Sequence, residues 1–152
     1  MLNLPEAKLK MRQSANSKLE VFDIIRKKYV SFTPEENVRQ QFINYLINIK
    51  NFPASLIAVE KGLVINNLKK RFDAVAYNNK GKPIVLIEFK SPEIKINQAV
   101  FEQISVYNIK LRVKHLIVSN GIEHYCCKVN FEKGKISFLE DIPFYKELNF
   151  IE

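Results

Sequence analysis

The sequence predicts an α/β domain, a mixed β-sheet with helices packed on it. Three observations carry this. Segments of helical periodicity and segments rich in β-branched and aromatic residues alternate in the order helix, four strand segments, helix, strand. Neither a repeat nor a low-complexity linker interrupts them. At 152 residues and 47% hydrophobic, the chain can bury one substantial core and leaves no room for a second full-sized domain.

Taken in order, Lys8–Arg12 and Lys18–Phe22 flank the polar Ser14-Ala15-Asn16-Ser17 and predict an N-terminal hairpin within an extension over 1–32. A core over 33–120 opens on a helix. Thr33 can cap it, Pro34 suits its first position, and Val38, Phe42, Tyr45, Leu46 and Ile49 form an apolar stripe that should end before Pro53. Strands are expected at Leu56–Val59, Leu63–Ile65, Phe72–Tyr77 and Ile84–Phe89. The turn-forming Asn78-Asn79-Lys80-Gly81-Lys82 joins the last two into a hairpin. Asn97 caps a second helix over Gln98–Leu111, with Val100, Ile104, Tyr107 and Leu111 on its buried stripe. His115–Ser119 then reads as a strand ending at Asn120-Gly121. Tyr125–Phe131 and Lys135–Leu139 form a closing hairpin within 121–152.

Three charges interrupt the apolar strands: Asp73, Glu88 and Lys90. A register with Tyr77 opposite Ile84 sets Asp73 opposite Glu88, where facing Cβ atoms lie about 4.5–5.5 Å apart. Two carboxylates that close repel unless something neutralises them. Glu88 and Lys90 share a strand face, with Phe89 on the other. The spacing fits two arrangements equally. One is an oxygen-ligand site for a divalent cation, since Mg²⁺ takes one or two carboxylates plus waters and phosphate oxygens, with the lysine on the attacking water or on transition-state charge. The other is a cross-strand ion pair on an exposed face.

The pattern Asp73, fourteen intervening residues, Glu88-Phe89-Lys90 resembles the PD-(D/E)xK nuclease signature, with Phe72 where the superfamily has proline. Five blocks in order are similar to the N-terminal nuclease domain of type I restriction enzyme R subunits, over roughly Phe22 to Tyr125. They are Thr33-Pro34-Glu35-Glu36-x-Val38-Arg39-Gln40, Arg71-x-Asp73, Glu88-x-Lys90-Ser91-Pro92, Gln103-x-x-x-Tyr107 and Ser119-Asn120-Gly121. The resembling subgroup itself has Arg-x-Asp at the second block. This resemblance implies a restriction-endonuclease-like fold, with the core order helix, three strands, helix, strand, and a DNA endonuclease using Mg²⁺ or Mn²⁺. In it Asp73 and Glu88 bind metal, Lys90 assists water, and Gln103 and Tyr107, one helical turn apart, belong to the active site.

Glu36 has two readings. Thr33-x-x-Glu36 matches a capping box, in which the glutamate reaches back to the helix's first amide. The resemblance adds a metal or water-positioning role on the first core helix. Arg39 either grips a phosphate or pairs with Glu36 on the same helix face. Glu60 reads as an additional ligand or a solvated strand-end acid. Lys69, Lys70 and Arg71 suit the phosphate backbone.

The balance of 24 Lys+Arg against 16 Asp+Glu, net +8, favours polyanionic partners. No G-x-x-x-x-G-K-[ST] phosphate loop is present, so ATP use is not expected. Neither an apolar run of membrane length nor a signal-peptide core appears, which predicts a cytoplasmic location. Cys126 and Cys127 are adjacent and alternate across a strand, which disfavours a disulfide or zinc site. A homodimer, or a translocase or specificity partner subunit, is compatible with the nuclease reading. The alternative function is a DNA-binding or assembly module that keeps the nuclease fold with little stand-alone activity.

Overall fold

The structure, a computed structural model, describes residues 1–65 and 67–148, the side chains at 63–65, 68, 70, 107 and 110 excepted. The chain begins with three short antiparallel strands, β1 (Met11–Gln13), β2 (Leu19–Asp23) and β3 (Lys28–Ser31), forming a sheet of their own. The hairpin expected from sequence is therefore extended by a third strand. Helix α1 (Pro34–Asn48) starts where Thr33 Oγ1 accepts the Glu36 amide at 3.0 Å, with Pro34 in its first turn. A single 3₁₀ turn (Ala54–Leu56) follows.

The main sheet has six strands: β4 (Ile57–Ile65), β5 (Leu68–Tyr77), β6 (Pro83–Phe89), β7 (His115–Ser119), β8 (His124–Asn130) and β9 (Lys135–Leu139), in that spatial order. It is mixed. Only β6 and β7 run parallel, and α2 (Gln98–Leu111), capped by Asn97, makes the crossover that a parallel pair requires. The turn-length helix α3 (Tyr145–Leu148) docks Tyr145 against Phe52, and its hydroxyl donates to the Tyr77 carbonyl at 2.9 Å.

Alternation along the strands divides the core into two layers. Val38, Phe42, Ile43 and Leu46 of α1 pack on Ala74, Ala76, Val85, Ile87, Phe89, Ile117 and Cys126. On the opposite face, Phe101 and Ile104 of α2 pack on Phe72, Val75, Leu86, Leu116, Val118 and Cys127. The adjacent cysteines alternate as expected, both free and buried, and burial pushes their thiols up to about 12 and about 11. Among the described residues, no helix is long and apolar enough to cross a membrane.

Three expectations need correction. The segments Leu56–Val59 and Leu63–Ile65 are one strand, because β4 passes through Glu60 in a left-handed conformation (φ 52) without losing its register to β5. Tyr77 pairs with Pro83, not Ile84, since a bulge between Ala76 and Tyr77 absorbs one residue beside the turn. The buried face of α1 is wider than the apolar stripe and includes Glu36, Arg39 and Gln40, while Ile49 is largely exposed.

Candidate active site

Beyond its bulge, β5–β6 runs in the anticipated register, Ala74 opposite Ile87, so Asp73 and Glu88 are next in line. Regular pairing stops there. The Asp73 carboxylate turns into the ladder, and its Oδ2 accepts the Phe89 amide at 2.7 Å. Phe72 belongs to the α2-side core and Ala74 to the α1-side core, so strict alternation is interrupted at Asp73 itself. Across the other edge of β5, the pairs Val59–Ala74 and Lys61–Phe72 bracket Glu60, whose positive φ marks the same irregularity. Such a conformation costs a non-glycine residue about 1–2 kcal/mol. Local strain of this kind clusters at functional sites.

Glu88 and Lys90 open toward α2. With Val100, Gln103 and Ile104 they line a cavity of about 50 Å³, water-sized and part polar. Glu88, Lys90 and the Gln103 amide thus meet at the end of β6, while Asp73 faces Arg39 of α1 and accepts the amide of the residue between Glu88 and Lys90. The Ser119-Asn120-Gly121 block fixes this end of the strand. Ser119 carbonyl accepts the Lys90 amide at 2.9 Å, and Asn120 Nδ2 donates to the Ile94 carbonyl at 2.9 Å. Gly121 has φ 86 and a would-be Cβ 2.7 Å from Leu2, so a side chain there would collide with the N-terminal segment.

The acids of α1 divide their roles differently from the expectation. Glu36 is 8% exposed and points inward. Its Oε1 meets Arg26 Nη2 at 3.0 Å and Arg39 Nη1 at 3.5 Å, and its Oε2 accepts Gln40 Nε2 at 3.1 Å. The Thr33 half of the capping box is made, whereas the Glu36 carboxylate serves these partners instead of reaching back. Three of its roughly four lone-pair sites are taken by these side chains, which sets Glu36 among inward-facing ion-pair and amide partners. Glu35 is the α1 acid on the site side. Burial raises its pKa, and the Asp73 charge raises it further against the opposing pull of Arg39 and Lys90. The Thr33-x-x-Glu36 spacing drew attention to Glu36 and left Glu35 unconsidered.

Arg39 is also turned inward, 5% exposed. Nη1 reaches Glu60 at 3.3 Å as well as Glu36, and Nη2 lies 3.9 Å from Asp73 Oδ1 and 4.0 Å from Glu35. Of the two readings available, pairing with Glu36 is the one observed. Arg39 is a counter-ion among four carboxylates, not a surface phosphate contact. Arg26, in the β2–β3 turn, completes the network by holding Asp23 at 2.6 Å and Glu60 at 3.5 Å. Glu60, its side chain still 37% exposed, is thereby an ion-paired acid at the edge of the network. Burial pushes its pKa up, but the hydrogen bond and charge of Arg39, with Arg26 and Arg71, outweigh that and hold it below the usual value.

Gln103 is exposed and borders the Glu88–Lys90 cavity. Tyr107 lies on α2, but its side chain and that of Lys70 are outside the described set. Lys69 and Arg71 are exposed on β5, with the Arg71 side chain 72% accessible and its Nη1 3.8 Å from Glu60. At a spacing of two, Lys69 and Arg71 share a strand face in the stretch that leads to Asp73. Among the described residues no group of three or more His, Cys, Asp and Glu could enclose a metal ion.

Comparison with known proteins agrees with this architecture. No curated protein matches the chain significantly. Among solved structures, a fragment assigned as the HsdR subunit of a type I restriction enzyme from Vibrio vulnificus YJ016 superposes with a TM-score of 0.54 at 17% identity. The match covers 75% of this chain and 24% of that one, so the present chain spans about a quarter of the larger protein. The family model for the type I restriction enzyme R protein N terminus (HSDR_N) matches residues 34–143. The family model spans more than half of the chain, and the chain belongs to the type I restriction enzyme R protein N-terminus family.

Proposed function

We propose that this domain is a divalent-metal-dependent endonuclease that hydrolyses DNA phosphodiester bonds. The observation that carries the reading is the convergence of Glu88, Lys90 and Gln103 on one small polar cavity, with Asp73 tied to the intervening Phe89 amide. Asp73 and Glu88 supply hard, anionic oxygen donors suited to Mg²⁺ or Mn²⁺. A cation held there would polarise the scissile phosphate and lower the pKa of a bound water. Lys90 presents an ammonium to that water and to charge growing on the non-bridging oxygens, an electrostatic contribution of the kind that commonly reaches about 10²-fold or more. Gln103 orients water or a phosphate oxygen through its amide, and Tyr107, one turn on, is its partner in that task. Glu35 adds negative charge on the α1 side, while Arg39 limits the mutual repulsion of the acids.

Lys69, Lys70 and Arg71 lead along β5 toward Asp73 and grip the phosphate backbone, contacts that confer salt-dependent affinity without reading sequence. Family membership supports a place in restriction, with DNA as substrate and a translocase or specificity subunit as partner. ATP hydrolysis is not assigned to this domain.

Supercoiled plasmid incubated with Mg²⁺ or Mn²⁺ tests the assignment, alongside Asp73→Asn, Glu88→Ala and Lys90→Ala. Nicking by the parent and loss of about 10²-fold in each variant is expected. Equal cleavage by parent and variants would refute the site. Tight DNA binding with no Mn²⁺ uptake by calorimetry would instead establish a binding or assembly module.

A further inference from the structure

The family model begins at residue 34, so the three-stranded N-terminal sheet lies outside the segment it accounts for. Its two faces differ in chemistry. Val21 and Asp23 of β2 are buried, whereas Phe22 between them is only half-buried and sits opposite Tyr29 of β3. The two rings touch, with centroids 5.3 Å apart. Two exposed cations lie over them. Lys10 Nζ is 5.3 Å from the Phe22 centroid and 6.0 Å from that of Tyr29, and the Arg12 guanidinium is 3.8 Å from Tyr29. Arg12 also pairs with Glu20 at 2.9 Å, the acid on this face.

Residues 1–32 hold seven Lys and Arg against three Asp and Glu, about half of the chain's net charge of +8. The rings restrict the cationic side chains, so less rotamer freedom remains to be lost when they bind an anion. The same sheet leads to the candidate site. Its β2–β3 turn exposes Lys27, beside Lys28 at the start of β3, and through Arg26 contacts Glu36 and Glu60.

We propose that this outer face, centred on Lys10, Arg12, Phe22 and Tyr29, is a second nucleic-acid contact that grips the phosphodiester backbone of DNA away from the point of cleavage. The choice of DNA as the polyanion rests on the nuclease reading. The cationic aromatic face supports the surface independently of it. Positive charge fixed over aromatic rings suits a charged backbone with no sequence preference.

The test is fluorescence anisotropy with a short labelled DNA duplex in Ca²⁺, over a range of salt concentrations. Lys10→Gln with Arg12→Gln is expected to weaken binding about tenfold and to make the log–log salt dependence shallower by about 1.8, two phosphate contacts at about 0.9 each. Lys10→Arg, which keeps the charge, should bind like the parent, and circular dichroism of both variants checks that the sheet persists. Unchanged affinity and slope in the folded double variant overturns the proposal even if the parent nicks plasmid. Binding lost as expected in a parent that cuts nothing upholds the proposal and removes the nuclease reading. A parent that does not bind the duplex overturns both.

Discussion

Arg39→Met keeps most of the bulk of a buried side chain and deletes its charge. In the native protein that guanidinium touches Glu36 and Glu60 through one nitrogen and approaches Asp73 and Glu35 through the other, at 3.3–4.0 Å. Removing one partner of a buried ion pair costs about 3–5 kcal/mol, because the remaining charge is left uncompensated. Glu36 keeps Arg26 and Gln40, and the Glu60 side chain is 37% exposed, so the lower end applies, about 3 kcal/mol. For a domain of this size that corresponds to a fall in Tm of roughly 6–12 °C. Urea unfolding followed by circular dichroism at pH 7 measures it. The cost should shrink in acid. Arg39 helps hold the Glu60 pKa below its ordinary 4.5, so that stabilisation is present above about pH 4.5 and is lost as pH falls through the lowered value. Arg39→Lys should recover little, since one ammonium cannot reach both pairs of acids as the two-ended guanidinium does. A loss under about 1 kcal/mol at pH 7, or one that does not shrink as Glu60 is titrated in acid, would refute a counter-ion role.

Two other perturbations probe different parts of the molecule. Burial, with Lys128 and Lys114 nearby, lowers the His115 pKa from 6.5 to about 4, so the unfolded chain binds the proton first as pH falls. Stability should decline between pH 6.5 and about 4 by up to about 3 kcal/mol, and His115→Gln should flatten that part of the profile in urea melts. Burial and the Asp73 charge raise the Glu35 pKa, so its ionised form opposes folding above that value. Glu35→Gln should raise Tm at pH 7 in metal-free buffer, with the gain vanishing in acid, and an unchanged Tm at both pH values would show that Glu35 does not feel Asp73.

Much of the scaffold is legible locally. Thr33-Pro34 and Asn97 start their helices because a side-chain oxygen accepts a first-turn amide, a signal contained within a few residues. The β5–β6 register follows from one turn and the alternation beside it, which brings Asp73 and Glu88 into line. Where several strand segments surround Glu60, local signals mislead. Its positive φ is sustained by a neighbouring strand and three arginines, none of which a window around Val59-Glu60-Lys61 contains.

Sequence alone determined the α/β class, most element boundaries, the basic excess and the placing of Asp73, Glu88 and Lys90 on facing stretches of one hairpin, since each depends on composition, periodicity or spacing. Tertiary structure decided which of the remaining charges serve that trio. Glu35 and Glu36 are adjacent, and the buried one is Glu36 because Arg26, ten residues away on another sheet, is there to receive it. Arg39 turned inward because three elements bring it acids. A buried charge must find its partner in space, and chains of residues near in sequence do not say which distant partner that will be.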